Sequence, residues 1–213
     1  MRIDQAMPSS STERKLKHPF VSPMEEIRIE LTRKSLHLLI AFEAILLDIS
    51  IYLAIGSLIA GMIVYGTSEF LRHRGIQVPV IGPLTARAAR MRDGNRFVIG
   101  PITLALGALE ALILFDSLPA KIAIFALAFG DSFSSLIGKT FGRIPMPLSG
   151  GKSVEGSIFC FLAVLVSSYS LCGKLFPSVA IALATAFVEF WPTKDWDNLI
   201  IPLAAGLVAS LLL

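Results

Sequence analysis

The feature that most constrains this chain is a series of apolar runs, separated by short polar segments, that begins after residue 34. A helix that crosses the hydrocarbon core of a bilayer, about 30 Å thick, needs about 20 apolar residues. We count seven runs, with six or eight as alternatives, at approximately residues 35–47, 49–70, 97–115, 119–137, 154–172, 176–191 and 198–213. The pattern predicts an all-α, polytopic transmembrane helix bundle.

The lengths of the runs require two adjustments. As a single helix, residues 35–70 would be about 54 Å long, which is too long for one crossing, so we expect a break at Asp48. The runs 35–47, 176–191 and 198–213 are short, and they need flanking residues, tilt or a locally thinned bilayer in order to cross.

Composition supports the same class of protein. Apolar residues make up 54% of the chain and charged residues 16%, against about 45–50% and about 25% in soluble domains. A soluble enzyme of this size would expose much of that apolar surface to water. The two cysteines, Cys160 and Cys172, lie in one apolar run and indicate neither a disulfide framework nor a zinc site.

The first 34 residues are polar and predict a separate region, residues 1–34, ahead of a membrane domain at residues 35–213. Residues 1–22 are rich in Ser, Pro and charge and lack the apolar core of a signal peptide. In the segment 24–34, Ile27 and Leu31 are four residues apart, which favours a short amphipathic helix at the bilayer surface.

The basic residues predict the orientation of the bundle. If the N-terminus is cytoplasmic, the inner segments are residues 1–34, 71–96, 138–153 and 192–197, and they carry 17 of the 19 Lys and Arg residues. This asymmetry is the positive-inside bias of membrane proteins. We therefore expect a cytoplasmic N-terminus. Arg residues at 72–96 are explained by orientation and anionic headgroups, so no nucleic-acid partner is expected.

Polar residues gather at the cytoplasmic ends of the predicted helices, where ionisable groups at membrane depth usually line a site. These residues are Arg33, Lys34, His37, Glu69, Arg72, Asp131, Glu189, Asp197 and Asn198. Taken singly, each could instead be a snorkelling or capping residue. Glu43 and Glu110 lie nearer the outer side and receive no role.

One polar helix face stands out in the segment 128–143. Asp131, Ser135, Gly138 and Gly142 are spaced by four, three and four residues and therefore share one face. Close helix packing would account for the small residues, but it leaves the carboxylate of Asp131 unexplained. A carboxylate here could hold a divalent cation or accept a proton from a substrate hydroxyl.

The following segment, 142–157, predicts a glycine-rich loop that leads into a helix through Lys152 and Ser153. Backbone amides before a helix N-terminus bind anions, and a lysine adds a positive charge. It is not a P-loop, because the position of the required first glycine is occupied by Met146. An ordinary connector is the alternative interpretation, in which Ser149 or Ser153 caps the helix.

Taken in order, these motifs resemble the polyprenol kinase family, which includes dolichol, phytol and CTP-dependent diacylglycerol kinases and is related to phosphatidate cytidylyltransferases. The resemblance covers about residues 30–213, and the Lys-Ser-x-Glu-Gly-Ser element at 152–157 is its most specific part. It implies transfer of the γ-phosphoryl group of a nucleotide, typically CTP, to a lipid alcohol.

From the resemblance and the residues together we expect Asp131 and Lys152 to be catalytic. Asp131 would act as the base or hold Mg²⁺, with Glu155 or Asp197 as further metal ligands. The expected nucleotide-binding residues are Arg33, Lys34, His37, Gly138, Gly142, Gly151, Ser153, Gly156 and Ser157. The lipid alcohol would enter from the bilayer, and the site would face the cytoplasm, in the cytoplasmic membrane of a prokaryote or the endoplasmic reticulum of a eukaryote.

Two other functions stay open at this point. A cytidylyltransferase would make CDP-diacylglycerol, although the usual C-terminal signature of those enzymes is missing. A transporter or scaffold would be non-enzymatic, although we find no internal repeat. The sequence does not distinguish CTP from ATP, or diacylglycerol from phytol, undecaprenol or dolichol, as substrates.

Overall fold

A computed structural model describes residues 23–76, 78–79, 82–83, 97–147, 149–193 and 196–213. Within these residues, every named element of secondary structure is a helix. The helices are α1 (Pro23–Leu39), α2 (Phe42–Ile49), α3 (Ile51–His73), α4 (Gly100–Leu114), α5 (Ser117–Phe125), α6 (Asp131–Phe141), α7 (Val154–Cys172), α8 (Leu175–Phe190) and α9 (Asp197–Leu212). The predicted all-α class is thus confirmed for this part of the chain. The polar segment 1–22 and the basic segment 84–96 lie outside the described residues.

Three of these helical segments are long and apolar enough to cross a membrane: Ile51–His73, Ser117–Phe141 and Val154–Cys172. They coincide with the predicted runs 49–70, 119–137 and 154–172. Helices α4, α8 and α9 are apolar but shorter, at 15 to 16 residues. The count of seven spans and the cytoplasmic N-terminus stay predictions.

The first predicted span is divided. Helix α1 ends at Leu39, and short i to i+3 hydrogen bonds at Ile40 and Ala41 lead directly into α2. Helix α1 also runs through residue 34, the expected boundary between the polar region and the membrane domain. Several polar side chains of that region are therefore carried into the helix bundle.

The expected break at Asp48 is wrong by two residues. Asp48 lies within α2, where it is ion-paired with Lys121. The break falls at Ser50, whose backbone is extended and whose hydroxyl accepts a hydrogen bond from the backbone N–H of Tyr52. Serine is a favoured N-cap because its side chain satisfies an otherwise unpaired amide of the next helix.

The segment Ser117–Phe141 is the central helix of the molecule. Within its most apolar window 61% of the residues are buried, against 17% and 22% in the other two long helices. It contributes Ile122 and Leu127 to one apolar core with α7, α8 and α9, and Ile124 to a second core with α2, α3 and α4. Most side chains in this window are therefore enclosed by protein, whereas Phe133 and Phe141 in the last part of the helix are exposed.

A π-helical turn, Ala126–Gly130, interrupts this central helix between α5 and α6. Such turns insert one extra residue into a helix and occur frequently at functional sites. At Gly130 the central helix approaches α7 so closely that a Cβ atom would lie 2.9 Å from a methyl group of Val164. The next residue, the first of α6, is Asp131.

Candidate active site

A buried ion pair connects α1 to α6. Lys34 and Asp131 are both buried, and the Lys34 ammonium is bonded to Oδ2 of Asp131. Nδ1 of His37 lies 3.1 Å from the same oxygen. No hydrogen bond to Oδ1 of Asp131 is formed by the described residues, so one oxygen of this carboxylate remains for a ligand. The structure thus brings together three of the residues that the sequence singled out.

The pairing follows from the spacing of polar residues on α1. Glu30, Lys34 and His37 stand at i, i+4 and i+7, which places them on one helix face. All three are buried, whereas Leu31 on another face is 55% exposed. Helix α1 therefore packs on α6 through charged side chains, and its apolar side is turned outward.

Glu30 makes a second set of charge contacts, one turn before Lys34. One of its oxygens is bonded to a terminal nitrogen of Arg33, and the other accepts a hydrogen bond of 2.5 Å from Lys139 on α6. Burial raises the pKa of Glu30, but Arg33, Lys34 and Lys139 outweigh that effect, and its pKa lies below the usual value. Glu30 is therefore a carboxylate anion held between two cations.

The loop between α6 and α7 folds as a short hairpin. The backbone N–H of Met146 donates to the carbonyl of Lys152, and that of Val154 donates to the carbonyl of Ile144, both at 3.0 Å. Gly150 and Gly151 form its turn with φ of 70° and 102°, a region that side chains disfavour. The hairpin fixes the position of Lys152, the residue that follows the turn.

Lys152 connects this hairpin to the end of α8. Its ammonium lies 2.9 Å from Oε1 of Glu189 and also donates to the backbone carbonyl of Glu189. The other oxygen of Glu189 accepts a hydrogen bond of 3.3 Å from the Ser157 hydroxyl on α7. The buried carboxylate of Glu189 thereby fixes the orientation of Lys152.

These groups surround one pocket of about 380 Å³. Its walls come from α1, α6, the hairpin, the end of α8 and the start of α9. The lining residues are Glu30, Arg33, Asp131, Ser134, Ser135, Gly138, Lys139, Ser149, Gly150, Gly151, Lys152, Ser153, Glu189, Pro192 and Asp197. The wall carries three cations and four carboxylates and has almost no large apolar side chain.

The carboxylates of this pocket suit a metal ion only in part. No group of three His, Cys, Asp or Glu residues is assembled for a metal within the described ranges. Asp131 and Asp197 both line the pocket, and magnesium commonly binds through one or two carboxylates together with substrate phosphates. The donor set therefore fits a nucleotide-bound Mg²⁺ rather than a fully protein-bound ion.

Glu155, expected as a metal ligand, lies in a different place. It lines a second pocket, together with Arg143, and its carboxylate accepts hydrogen bonds from the backbone N–H groups of Arg143, at 3.0 Å, and Ile144, at 3.2 Å. Its bonds therefore hold the first arm of the hairpin onto the start of α7.

The glycines on the predicted polar face bring α6 and α7 together. A Cβ atom at Gly156 would lie 2.8 Å from the backbone oxygen of Ser134 and 3.3 Å from the Cα atom of Gly138. A Cβ atom at Gly142 would lie 2.6 Å from the hydroxyl of Ser153. That hydroxyl caps α7 by accepting the backbone N–H of Gly156 at 3.2 Å. Close packing, the alternative interpretation of the small residues on the polar face, accounts for Gly138 and Gly142, and Gly156 of α7 lies on the other side of the same contact.

Three further candidates lie outside the pocket wall. Glu69 binds Arg72 through two hydrogen bonds, at 2.6 and 2.8 Å, and accepts the backbone N–H of Val98 at 3.0 Å. Asn198 donates to Thr103 at 2.9 Å and to the carbonyl of Gly100 at 3.3 Å. The bond from Val98 to Glu69 joins the residues before α4 to α3. Asn198 joins α9 to α4.

Sequence reasoning missed Glu30 and Lys139. The apolar neighbours Ile27 and Leu31 favour a helix at the bilayer surface, and in such a helix Glu30 would be an ordinary exposed residue. Its spacing to Lys34 and His37 is the signal that could have identified it. Lys139 is one residue away from Gly138, yet it reaches the pocket because its long side chain bends toward Glu30.

No family model and no solved structure matches the chain, but curated relatives do. A probable chloroplastic phytol kinase of Triticum aestivum is 31% identical over 141 residues, covering 57% of this chain and 47% of the relative. The dolichol kinase sec59 of Schizosaccharomyces pombe is 31% identical over 120 residues, covering 50% and 23%. The CTP-dependent diacylglycerol kinase 1 of Eremothecium gossypii is 26% identical over 113 residues, covering 53% and 36%.

These relatives confirm the resemblance to the polyprenol kinase family that the motifs predict. The chain spans about half the length of the phytol kinase of Triticum aestivum and less of the other two.

Proposed function

We propose that this chain is a multi-pass membrane kinase that transfers the γ-phosphoryl group of CTP to the hydroxyl of a lipid alcohol. The observation that carries the proposal is the buried Asp131, which keeps one oxygen for a ligand inside a pocket lined by cations from α1, α6 and the hairpin. The relatives, which are phytol, dolichol and diacylglycerol kinases, support the same reaction class.

The cations and the glycine turn suit the phosphates of a nucleotide. Phosphoryl transfer proceeds through a loose transition state, so the protein mainly positions the reactants and compensates negative charge. Lys152 and Arg33 would bind phosphate oxygens, and the amides at Gly150 and Gly151 would add hydrogen bonds. Because the Lys152 ammonium is bonded to Glu189 in the free protein, a triphosphate would compete with that carboxylate.

Asp131 would orient the acceptor and accept its proton. The hydroxyl oxygen forms a bond to the γ-phosphorus while the bond from that phosphorus to the β,γ-bridging oxygen breaks, which leaves CDP. The proton of the hydroxyl goes to Asp131. Lys34 and His37 both contact Oδ2, so they fix the carboxylate with Oδ1 available to the acceptor.

A divalent ion, Mg²⁺, fits this pocket when it arrives with the nucleotide. Asp197 would be its protein ligand, because Asp197 lines the pocket and Glu155 does not, whereas the free oxygen of Asp131 serves the acceptor hydroxyl. Bound there, Mg²⁺ neutralises part of the phosphate charge.

The acceptor would reach the pocket from the bilayer. Most of the side chains that line the pocket are polar or charged, which suits the hydroxyl and the phosphates better than an apolar chain. The chain of diacylglycerol, phytol, undecaprenol or dolichol would therefore remain among lipids. We place the pocket on the cytoplasmic side of the cytoplasmic membrane or of the endoplasmic reticulum, where nucleotides are present.

Labelled CTP tests this function. The purified chain in lipid vesicles is incubated with CTP, Mg²⁺ and each of phytol, dolichol, undecaprenol, diacylglycerol and phosphatidate. Label from the γ-position that appears in an alcohol supports the kinase. Label from the α-position in phosphatidate identifies a cytidylyltransferase instead. No transfer from CTP, or from ATP supplied in its place, contradicts both enzyme functions and leaves a transporter or scaffold.

A further inference from the structure

We propose that Lys139 is a further phosphate-binding residue of this pocket and that Glu30 is the residue that positions it. The inference rests on the proposed kinase function and deepens it. Neither residue belongs to the motifs that carry the family resemblance. Both line the pocket, and they approach each other from different helices, α1 and α6.

The first step of the argument is the burial of Glu30. Its side chain is only 1% exposed, and each of its two oxygens is bonded to a different cation, Arg33 or Lys139. A carboxylate is costly to bury unless it is paired. Since one partner would already neutralise it, the second cation is in excess, and the triad keeps one net positive charge at the pocket wall.

The second step is the unused bonding capacity of the two cations. The Lys139 side chain is 45% exposed, so its ammonium, with three donors, can reach a ligand while it remains bonded to Glu30. The Nε atom of Arg33 is buried and has no hydrogen-bond partner among the described residues. That atom is enclosed by protein, so a ligand in the pocket would be bound by the terminal nitrogens of Arg33, only one of which is bonded to Glu30.

The third step is the distribution of charge among the other groups. Lys34 is matched by Asp131, and Lys152 is matched by Glu189. Among the pocket pairs of the described residues, the triad therefore carries the unmatched positive charge, while Asp197 carries an unmatched carboxylate. Phosphate oxygens would be attracted toward Glu30, Arg33 and Lys139, and a metal ion toward Asp197.

Glu30 acts through the two cations rather than on the substrate. A long lysine side chain loses conformational entropy when a ligand fixes it. The bond to Glu30 fixes Lys139 before the nucleotide arrives, which reduces that loss. Without Glu30, Lys139 would move freely in solvent, and the nucleotide would bind more weakly while the transfer step stayed the same.

The experiment compares Lys139→Ala, Glu30→Gln and the double variant in the CTP kinase assay described above, with Glu26→Gln as control. Glu26 is exposed on the same helix, so the control makes the same chemical change away from the pocket. We expect each single variant to raise the KM for CTP about tenfold, the effect of losing one charge-assisted hydrogen bond, with kcat within about twofold. Glu30→Asp, which keeps the charge, should restore part of the loss.

The double variant distinguishes a role of Glu30 in positioning Lys139 from a role that only holds α1 against α6. If Glu30 acts through Lys139, Glu30→Gln raises the KM much less when Lys139 is already alanine, by about threefold. Equal effects in both backgrounds, an unchanged KM in Lys139→Ala, or a fall in kcat alone would overturn the inference. Lys139→Ala tests it even if Glu30→Gln does not fold, because Lys139 is half exposed. Absence of transfer by the unaltered chain would instead refute the kinase function.

Discussion

At the scale of single residues, the molecule buries charged side chains, although removing a charge from water costs free energy. Lys34 and Asp131 are almost inaccessible to solvent and depend on each other for compensation. Hydrophobic residues of similar size often replace such pairs without loss of stability. Stability alone is therefore a weak explanation for this pair, and a role in binding or chemistry explains it better.

The first prediction concerns the Asp131 carboxylate. Asp131→Asn keeps the shape of the side chain but removes the charge and the proton acceptor. We expect kcat in the CTP kinase assay to fall by about 10²–10⁴-fold, the usual contribution of a positioned base. Asp48→Asn is the matched control, because Asp48 is also ion-paired with a lysine but lies outside the pocket. Full activity of Asp131→Asn would refute the central role of this residue.

A second prediction concerns the partner of Asp131. Lys34→Met leaves a buried carboxylate with His37 alone, which should destabilise the protein by about 3–5 kcal/mol. Thermal unfolding of the purified chain in detergent measures the change. Adding Asp131→Asn to Lys34→Met should restore most of the stability, because no unpaired charge remains, while activity stays lost. If the double variant were as unstable as Lys34→Met, the pairing would not explain the loss.

The residues show which parts of the site the sequence can predict. Lys34, His37 and Asp131 are ionisable groups next to or within apolar runs, so their burial together could be inferred, and Lys152 could be inferred from the glycine-rich turn before α7. Glu155 does not line the pocket of Asp131, because its carboxylate is bonded to two backbone amides of the hairpin. That contact depends on how the hairpin folds back, which the sequence does not reveal. Glu30 was missed because neighbouring apolar residues favoured a helix on the bilayer surface.

At the scale of elements, the positions of most apolar helices follow from hydropathy. The run at 154–172 coincides with α7 (Val154–Cys172). The π-turn before Asp131 could not be predicted, because it depends on how the central helix meets α7 and α8 around Gly130. Asp48 and Ser50 are both polar residues at which the long apolar stretch could break. The break falls at Ser50 because its hydroxyl caps the next helix.

A third prediction tests the contact between α6 and α7. In Gly156→Ala, the new methyl group would lie 2.8 Å from the backbone oxygen of Ser134. The helices must separate, which typically costs about 1–3 kcal/mol, and the hairpin that carries Lys152 should shift with α7. We expect a lower unfolding temperature in detergent and a lower kinase activity.

Gly61→Ala is the control for that variant. Gly61 lies within α3, and a methyl group added there would meet no heavy atom within 4 Å beyond its own helix backbone and chain neighbours. Alanine favours a helix over glycine by about 1 kcal/mol, so this variant should be neutral or slightly more stable. If both alanine variants lost the same stability and activity, the close contact between α6 and α7 at Gly156 would not explain the effect of the substitution.

At the scale of the whole molecule, the central helix determines where the pocket can lie in a bilayer. Its 25 residues, Ser117–Phe141, are about 37 Å long, which exceeds the hydrocarbon thickness of about 30 Å. Asp131 is ten residues from Phe141, so the ion pair lies in the half of the bundle that carries the hairpin. Because the hairpin that follows Phe141 lines the pocket, we expect the pocket to open toward the side on which Phe141 emerges.

The last prediction identifies that side. Asp116 and Arg143 are exposed residues that flank the two ends of the central helix, and each is replaced by cysteine in a chain with Cys160→Ala and Cys172→Ser. A membrane-impermeant maleimide is applied to bacterial cells expressing each variant, before and after permeabilisation. Because 17 of the 19 basic residues fall on the predicted inner segments, Asp116→Cys should react in intact cells and Arg143→Cys only after permeabilisation. The reverse pattern would place the pocket outside, away from cellular CTP, and labelling of both in intact cells would mean that this helix does not cross the membrane.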